Sequence, residues 1–303
     1  MINTKCAVCN SFQPFRVKYK ENFSEKDIKS KTFSTRKEHS GTASNPHYRI
    51  VECKRCGLIY SNPILEPSVI EKLYVGGEFK YSKARTRALK ESYGKCVAAA
   101  AKFVRRRERF LDIGCGNGFL LEVAKELGFK EVYGLEPNKY CLKIARKDIR
   151  PKIINDILKP NSFKKNYFDL ICSFFVLDHV TDPNHFLRIC HSFLKKEGVI
   201  LCVSNDTKAL SAKLLGEKSP IINMSHIYLF DSSTVKKIFE NNSFQTLRQW
   251  NVSTVNSFND WLGYLSLSPK VKNVLSFILK KTGLSSRKIS LKAGNFGYIG
   301  VKL

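Results

Sequence analysis

Acidic residues are what this sequence is short of. Its 303 residues hold 26 Asp and Glu against 52 Lys and Arg, a formal net charge of +26, and no acid follows Asp260. Such a balance either draws in nucleic acid, anionic lipid or a phosphorylated substrate, or merely keeps a Lys-rich chain soluble. Long apolar runs are missing too, which leaves no segment suited to span a bilayer. The opening "MINTKCAVCN" lacks the basic-then-apolar layout of a secretory signal, so the expected location is cytoplasmic. There is no internal repeat, which sets aside solenoids and propellers.

The charge is uneven. Residues 1–108 carry 23 basic and 10 acidic side chains, a net +13; residues 109–260 are net +5 and residues 261–303 net +8. The densest patch is "KFVRRRER", residues 102–109. Ten cysteines are present, but not in the layout of a secreted disulfide framework. Cys6/Cys9 and Cys53/Cys56 form two CxxC pairs. Cys96, Cys115, Cys141, Cys172, Cys190 and Cys202 are scattered through apolar stretches, as small hydrophobes in a reducing compartment would be.

Three regions follow from the pattern. Residues 1–62 read as a small cysteine module interrupted by a long polar loop, "KENFSEKDIKSKTFSTRKEHSGTASNPH". Residues 63–108 read as a helical linker or lid, with a short helix after "SNPILEP" and a longer one over 82–104. From residue 109 to 303, strands alternate with helices: "RFLDIG", "EVYGLEP", "KIINDI", "YFDLICSFFVL", "VILCVSND", "FQTLRQWNVST" and "NFGYIGVKL" as strands, with a helical insertion at 256–292. That alternation predicts an α/β fold, a doubly wound sheet covered on both faces. Asp182 is placed to cap the helix "DPNHFLRICHSFLKKEG" after the fourth strand and Asn138 the one after the second, and the Ser and Thr residues that open "SSTVKKIFENNS" are capping candidates for a later helix. The amphipathic "VLSFILKK" near the end suits burial in the domain, the expected use, or contact with an anionic membrane.

"FLDIGCGNG" places Gly114, Gly116 and Gly118 between the first strand and a helix N-terminus, where backbone N–H groups receive a ligand. The third glycine comes one residue too early for the dinucleotide pattern GxGxxG. Three acids sharpen the reading. Asp112, just ahead of the loop, can meet a ligand ammonium group. Glu136, 18 residues after Gly118, ends the second strand where an acid binds both ribose hydroxyls. Asp156 ends the third strand in "NDI" and can accept from an adenine amino group. Acids at three consecutive strand ends suit a nucleoside with a cationic amino-acid arm better than a pyrophosphate.

"LDIGCGNG", "GLEPN", "NDI" and "FDLICSFFVLDHVTDP" resemble, in order, the motifs of class I S-adenosylmethionine-dependent methyltransferases. The resemblance implies a seven-stranded Rossmann-like sheet with its last strand inserted antiparallel. It implies that Asp112, Gly114, Gly116 and Gly118 frame the methionine moiety, Glu136 the ribose and Asp156 the adenine, with Phe174 and Phe175 beside the cofactor. The two CxxC pairs have the layout of a closed, structural Cys₄ zinc site, Cys6, Cys9, Cys53 and Cys56, although 43 residues separate the pairs. "CAVC…CKRCGLIYSNP" ahead of such a domain is similar to bacterial sugar-modifying methyltransferases. That likeness implies a zinc-ribbon-like module and a sugar or sugar-nucleotide acceptor, methylated on oxygen or carbon.

Methyl transfer calls for in-line alignment and a base. His226, in "NMSHIYLFDSS" after the fifth strand, is the candidate base, and the stretch is similar to one holding the general base of the sugar enzymes. Tyr228 is expected to assist it by hydrogen bonding. His179, beside Asp178 in "LDHVTDP", is a further candidate, though loop-fixing is the commoner use of that pair. An RNA methyltransferase, gripping phosphates with the module and the basic flanks, is the competing reading. A monomer and a homodimer stay equally open.

Overall fold

The computed structural model describes residues 1–23, 45–75, 83–264 and 267–303. Most of the polar loop, residues 24–44, and residues 76–82 of the linker lie outside the described residues. The chain opens with β1 (Phe15–Tyr19), β2 (Ile50–Cys53) and β3 (Ile59–Ser61), followed by helices α1 (Pro67–Val75) and α2 (Lys83–Ala100). Then come β4 (Arg109–Ile113), α3 (Phe119–Glu126), β5 (Glu131–Leu135), α4 (Lys139–Ile144), β6 (Ile153–Ile154) and β7 (Phe168–Phe174). The rest is α5 (Pro183–Phe193), β8 (Leu194–Asn205), α6 (Leu210–Leu215), β9 (Tyr228–Leu229), α7 (Ser232–Asn241), β10 (Phe244–Ser257), α8 (Phe258–Tyr264), α9 (Pro269–Lys281) and β11 (Lys288–Lys302).

Seven strands form the main sheet in the order β10-β11-β8-β7-β4-β5-β6. Neighbours from β6 to β8 run parallel, and β11 lies antiparallel to both β8 and β10. β7 is "FDLICSF", buried for six of its seven residues, because a central parallel strand is covered on both faces and needs apolar side chains on both. Leu170 and Cys172 pack with α2 and α3 on one face, and Ile171 with α5 and α7 on the other. The six scattered cysteines are all buried.

Helix ends follow local chemistry. Asp182 caps α5 by accepting from the His185 amide, with Pro183 at the first helical position, where its missing N–H costs nothing. Asn138 caps α4. At α7 the cap is Asp231, in a capping box with Thr234, rather than the serines that follow it.

Four expectations are corrected. The third strand is only Ile153–Ile154, so Asp156 lies beyond it. The helix after β7 stops at Phe193, and "LKKEG" begins β8. β10 and β11 are longer than expected, which narrows the helical insertion to the span between Ser257 and Lys288. α9 has no buried residue, so "VLSFILKK" does not serve the interior.

The cysteine module is also less separate than its sequence suggests. Its sheet runs β1-β2-β3-β9, completed by two residues from far along the chain. Cys6, Tyr48, Val51 and Tyr60 share one apolar cluster with Leu111, Phe186 and Ile238 of the main domain. The module is docked on one face of the sheet.

Candidate active site

After β4 the backbone turns through Gly114, Gly116 and Gly118 with φ of 73°, 55° and 76°. A Cβ on Gly114 would lie 2.4 Å from Val176 Cγ2, and one on Gly118 2.6 Å from Ile149 Cγ2. Conformation and space both exclude a side chain at these two positions. Gly118 is also the N-cap of α3 and offers its first amides no side-chain acceptor. Those N–H groups, at the positive end of the helix dipole, suit an incoming acceptor.

Two acids stand against this loop. Asp112 is 2% exposed, and its Oδ1 has no hydrogen-bond partner among the described residues. Burial, reinforced by the nearby Glu136, pushes its carboxyl well above the usual range. Glu136 is buried too, and accepts from the Gly116 and Asn138 amides, each at 2.9 Å. Burial raises its pKa, while the two amides favour the charged form. A ligand bringing positive charge and hydroxyl donors would complete the pair.

Asp156 differs from these two. Its side chain is 42% exposed and ion-paired to Lys159 at 2.7 Å, and the Lys159 hydrogen bond holds its carboxyl below the usual range. Phe174 ends β7 and Phe175 follows it, with Tyr93 of α2 tilted against both rings, at 5.3 and 5.5 Å.

Val176, the residue that closes on Gly114, leads directly into a second cluster. Asp178 is 1% exposed; its Oδ2 accepts from Asn205 Nδ2 at 2.8 Å. His226 Nε2 lies 3.7 Å from Oδ2 and His179 Nε2 3.9 Å from Oδ1, with the two imidazole rings 4.6 Å apart. Each histidine places Nδ1 against a backbone carbonyl: Ile221 at 2.7 Å for His226, Ser225 at 2.6 Å for His179. The Ser225 carbonyl only accepts, so His179 Nδ1 donates to it; His226 Nδ1 meets both the Ile221 carbonyl and, at 3.1 Å, the Asn223 side-chain amide, and the Nε2 atoms of both rings face Asp178. Burial works against charge on Asp178, yet the two histidines and Asn205 bring its carboxyl below the usual range. The cluster is built to take up a proton and hold it beside a carboxylate.

Tyr228 is not part of it. Pairing of β9 with β3 draws this residue into the module, where it stacks on Tyr60 and its hydroxyl donates to the Lys5 carbonyl at 3.2 Å. The tyrosine that does reach the cluster is Tyr74 of α1. Its hydroxyl lies 2.5 Å from His179 Nδ1 and donates to the Ser225 carbonyl at 2.8 Å. The Tyr74 carbonyl accepts from Asn138, the residue next but one to Glu136. Nothing local marks Tyr74, which stands 105 residues from His179 in an unremarkable helix.

The sulfurs of Cys6, Cys9, Cys53 and Cys56 all lie within 4.8 Å of one another. Cys6 and Cys56 are 3.4 Å apart, Cys9 and Cys53 3.9 Å. A tetrahedron with Zn–S bonds of about 2.3 Å has S–S edges of roughly 3.8 Å. Burial, then the approach of Cys56 and Cys53, pushes the Cys9 thiol up to about 11, so thiolates here require a cation. Three arginines of the basic patch have partners within the protein: Arg105 with Glu197, Arg107 with the Leu127 carbonyl, Arg109 with Glu131. The patch lies at the amino end of the sheet, opposite the glycine loop.

The methyltransferase-domain family matches residues 83–249. Among curated proteins, the ubiquinone biosynthesis O-methyltransferase of Pelagibacter ubique is 33% identical over 96 residues, 30% of this chain and 40% of that protein. Its counterpart in Caulobacter vibrioides is 32% identical over 117 residues, 35% of this chain and 45% of that one. The chain thus spans about half the length of the curated relatives it matches. Among solved structures, a candidate methyltransferase of Bacillus halodurans C-125 superposes with a TM-score of 0.51 at 19% identity, over 70% of this chain and 99% of the other.

Proposed function

The chain belongs to the methyltransferase-domain family, and on that premise we propose that it transfers a methyl group from S-adenosylmethionine to an oxygen of a small-molecule acceptor, of sugar type. The observation that carries this reading is the buried Asp112–Glu136 pair against the glycine loop, with an unsatisfied carboxylate oxygen. The bound cofactor supplies an electrophilic methyl group on a sulfonium. Asp112 receives the ammonium of its amino-acid arm, Glu136 its ribose hydroxyls and Asp156 the adenine amino group. Gly114, Gly116 and Gly118 let the ligand reach the backbone, and Phe174 and Phe175 wall the site.

With the methyl donor bound, His226 would take the acceptor's proton on Nε2. Asp178 stabilises the imidazolium that results, and Asn205 keeps that carboxylate oriented. His179 and Tyr74 position the cluster. Oxygen is preferred over carbon as the methylated atom because the curated relatives are named O-methyltransferases. Cys6, Cys9, Cys53 and Cys56 hold a structural zinc with no open position, which ties the Cys6–Cys9 turn to the turn after β2 within the module.

A labelled-methyl transfer screen across sugar nucleotides and RNA tests the reading. Labelled small-molecule product is expected; label appearing in RNA alone would overturn it. The sheet-edge position of the arginine patch, away from the glycine loop, speaks against RNA. Metal analysis of protein purified without chelator is expected to find one zinc per chain, lost in Cys53→Ser.

A further inference from the structure

α9 is an amphipathic helix turned inside out. Thirteen residues, "PKVKNVLSFILKK", put Val271, Val274, Leu275 and Ile278 along one stripe, spaced i, i+3, i+4 and i+7. In a surface helix that stripe faces the core. Here all four are exposed, as is Phe277 at 65%. The side that faces the protein is instead Lys272, Ser276 and Leu279, the only partly buried residues of the helix. Lys272 donates to the Gly263 carbonyl and Ser276 to Asn259 of α8. Polar contacts thus hold the helix so that its apolar stripe points away.

Its place in the fold is equally specific. β11 pairs with β8 only from Asn295 onward, while Lys288–Leu291 pair with Thr254–Ser257. The two strands therefore run on as a ribbon past the carboxyl edge of the sheet, the edge that carries the glycine loop. α8 and α9 cap that ribbon. Leu210 and Leu214 of α6, which follows β8 at the same edge, are 72% and 76% exposed, next to Lys208 and Lys213.

We infer that α9 docks this chain on an anionic lipid bilayer. Charge selects the occupant. Lys270, Lys280 and Lys281 are exposed around the stripe, and residues 261–303 contain eight basic residues and no acid. Apolar residues in a cationic frame, on a helix too short to span, are the features of an interfacial helix. A second copy is the poorer fit. A stripe about 20 Å long and 10 Å wide buries roughly 200 Å² per copy, far short of a stable interface, and would oppose like charges. The carboxyl edge of the sheet then faces the membrane. That this is also the acceptor's side rests on the methyl-transfer reading; the docking itself does not.

The test is co-sedimentation of the full chain with vesicles of phosphatidylcholine alone, or with about one-third phosphatidylglycerol. Binding to the anionic vesicles only is expected, weakened by salt and at least about tenfold weaker for Val274→Glu/Ile278→Glu. Neither side chain belongs to an apolar cluster of the described residues, so the variant should melt with the wild type; Val274→Ser/Ile278→Ser is the milder replacement if it does not. Absence of binding to anionic vesicles, or equal binding by wild type and variant, overturns the proposal. So does concentration-dependent dimerisation that the variant abolishes without vesicle binding. No cofactor enters this assay, so its outcome is independent of whether the chain transfers methyl groups.

Discussion

Asp112 and Asp178 are both aspartates with almost no exposure, near the carboxyl ends of the adjacent strands β4 and β7, yet their carboxyls are displaced in opposite directions. Burial opposes charge on both. Each leaves its Oδ1 without a hydrogen-bond partner among the described residues, but Asp112 has an acid, Glu136, for its charged neighbour. Asp178 has two histidines and an asparagine amide. The first is a socket with no basic side chain against it among the described residues; the second has two. The difference separates a ligand-binding carboxylate from one that supports proton transfer, although residue type and burial are the same.

The comparison can be broken most directly at the base. His226→Ala should lower kcat by about 10²- to 10⁴-fold while leaving S-adenosylmethionine affinity within about twofold, as read by single-turnover kinetics and calorimetry. Full turnover would remove the proton-transfer role from the second cluster.

The next effect belongs to the first. Asp112→Asn should weaken cofactor binding by about ten- to a hundredfold, roughly 1.4–2.8 kcal/mol. The same change should leave the ligand-free protein as stable at pH 8 as the wild type, or more so, because it removes an acid that is costly to bury charged. Cofactor affinity unchanged in calorimetry would sink the socket assignment.

Asp178→Asn should do the reverse. It breaks an internally matched pair and should destabilise the ligand-free chain by about 1–3 kcal/mol in urea titrations, with cofactor affinity retained.

The smallest effect is in pH dependence. An unfolded aspartate titrates near about 3.9. The Asp112 carboxyl is raised in the fold, so its contribution to stability is full below that value and is lost as pH climbs through the raised one. The Asp178 carboxyl is lowered, so its contribution is present above about 3.9 and disappears as pH falls through the lowered value. Stability differences between wild type and each Asn variant, followed from pH 3 to 8 without ligand, should therefore trend oppositely. Parallel trends would mean that the two aspartates do not differ as described.

Local chemistry was readable from local sequence. Gly114, Gly116 and Gly118, the caps Asp182 and Asn138, and the strands around "FLDIG" and "FDLICSF" each depend on neighbours a few residues away. Asp112 and Glu136 were readable because strand ends have a fixed relation to the loop between them. The roles of Tyr74, Asn205 and Ser225 were not: Tyr74 and Ser225 meet His179 across 105 and 46 residues, and Asn205 meets Asp178 across 27. Tyr228 was misread for the same reason: two residues from His226 in sequence, it is claimed by a strand pairing with β3. Asp231, not the serines after it, caps α7, because the residue before the helix begins has the extended geometry a cap requires.

By itself the sequence determined the α/β alternation, the glycine loop, the acids around it and the two CxxC pairs, since periodicity, turn chemistry and short spacing are properties of contiguous residues. Tertiary structure alone decided that β9 completes the module's sheet, that Asp178 has two histidine partners while Asp112 has none, and that α9 turns its apolar stripe outward. Those outcomes depend on which surfaces meet, and a one-dimensional pattern records that a helix has an apolar side without recording what that side will face.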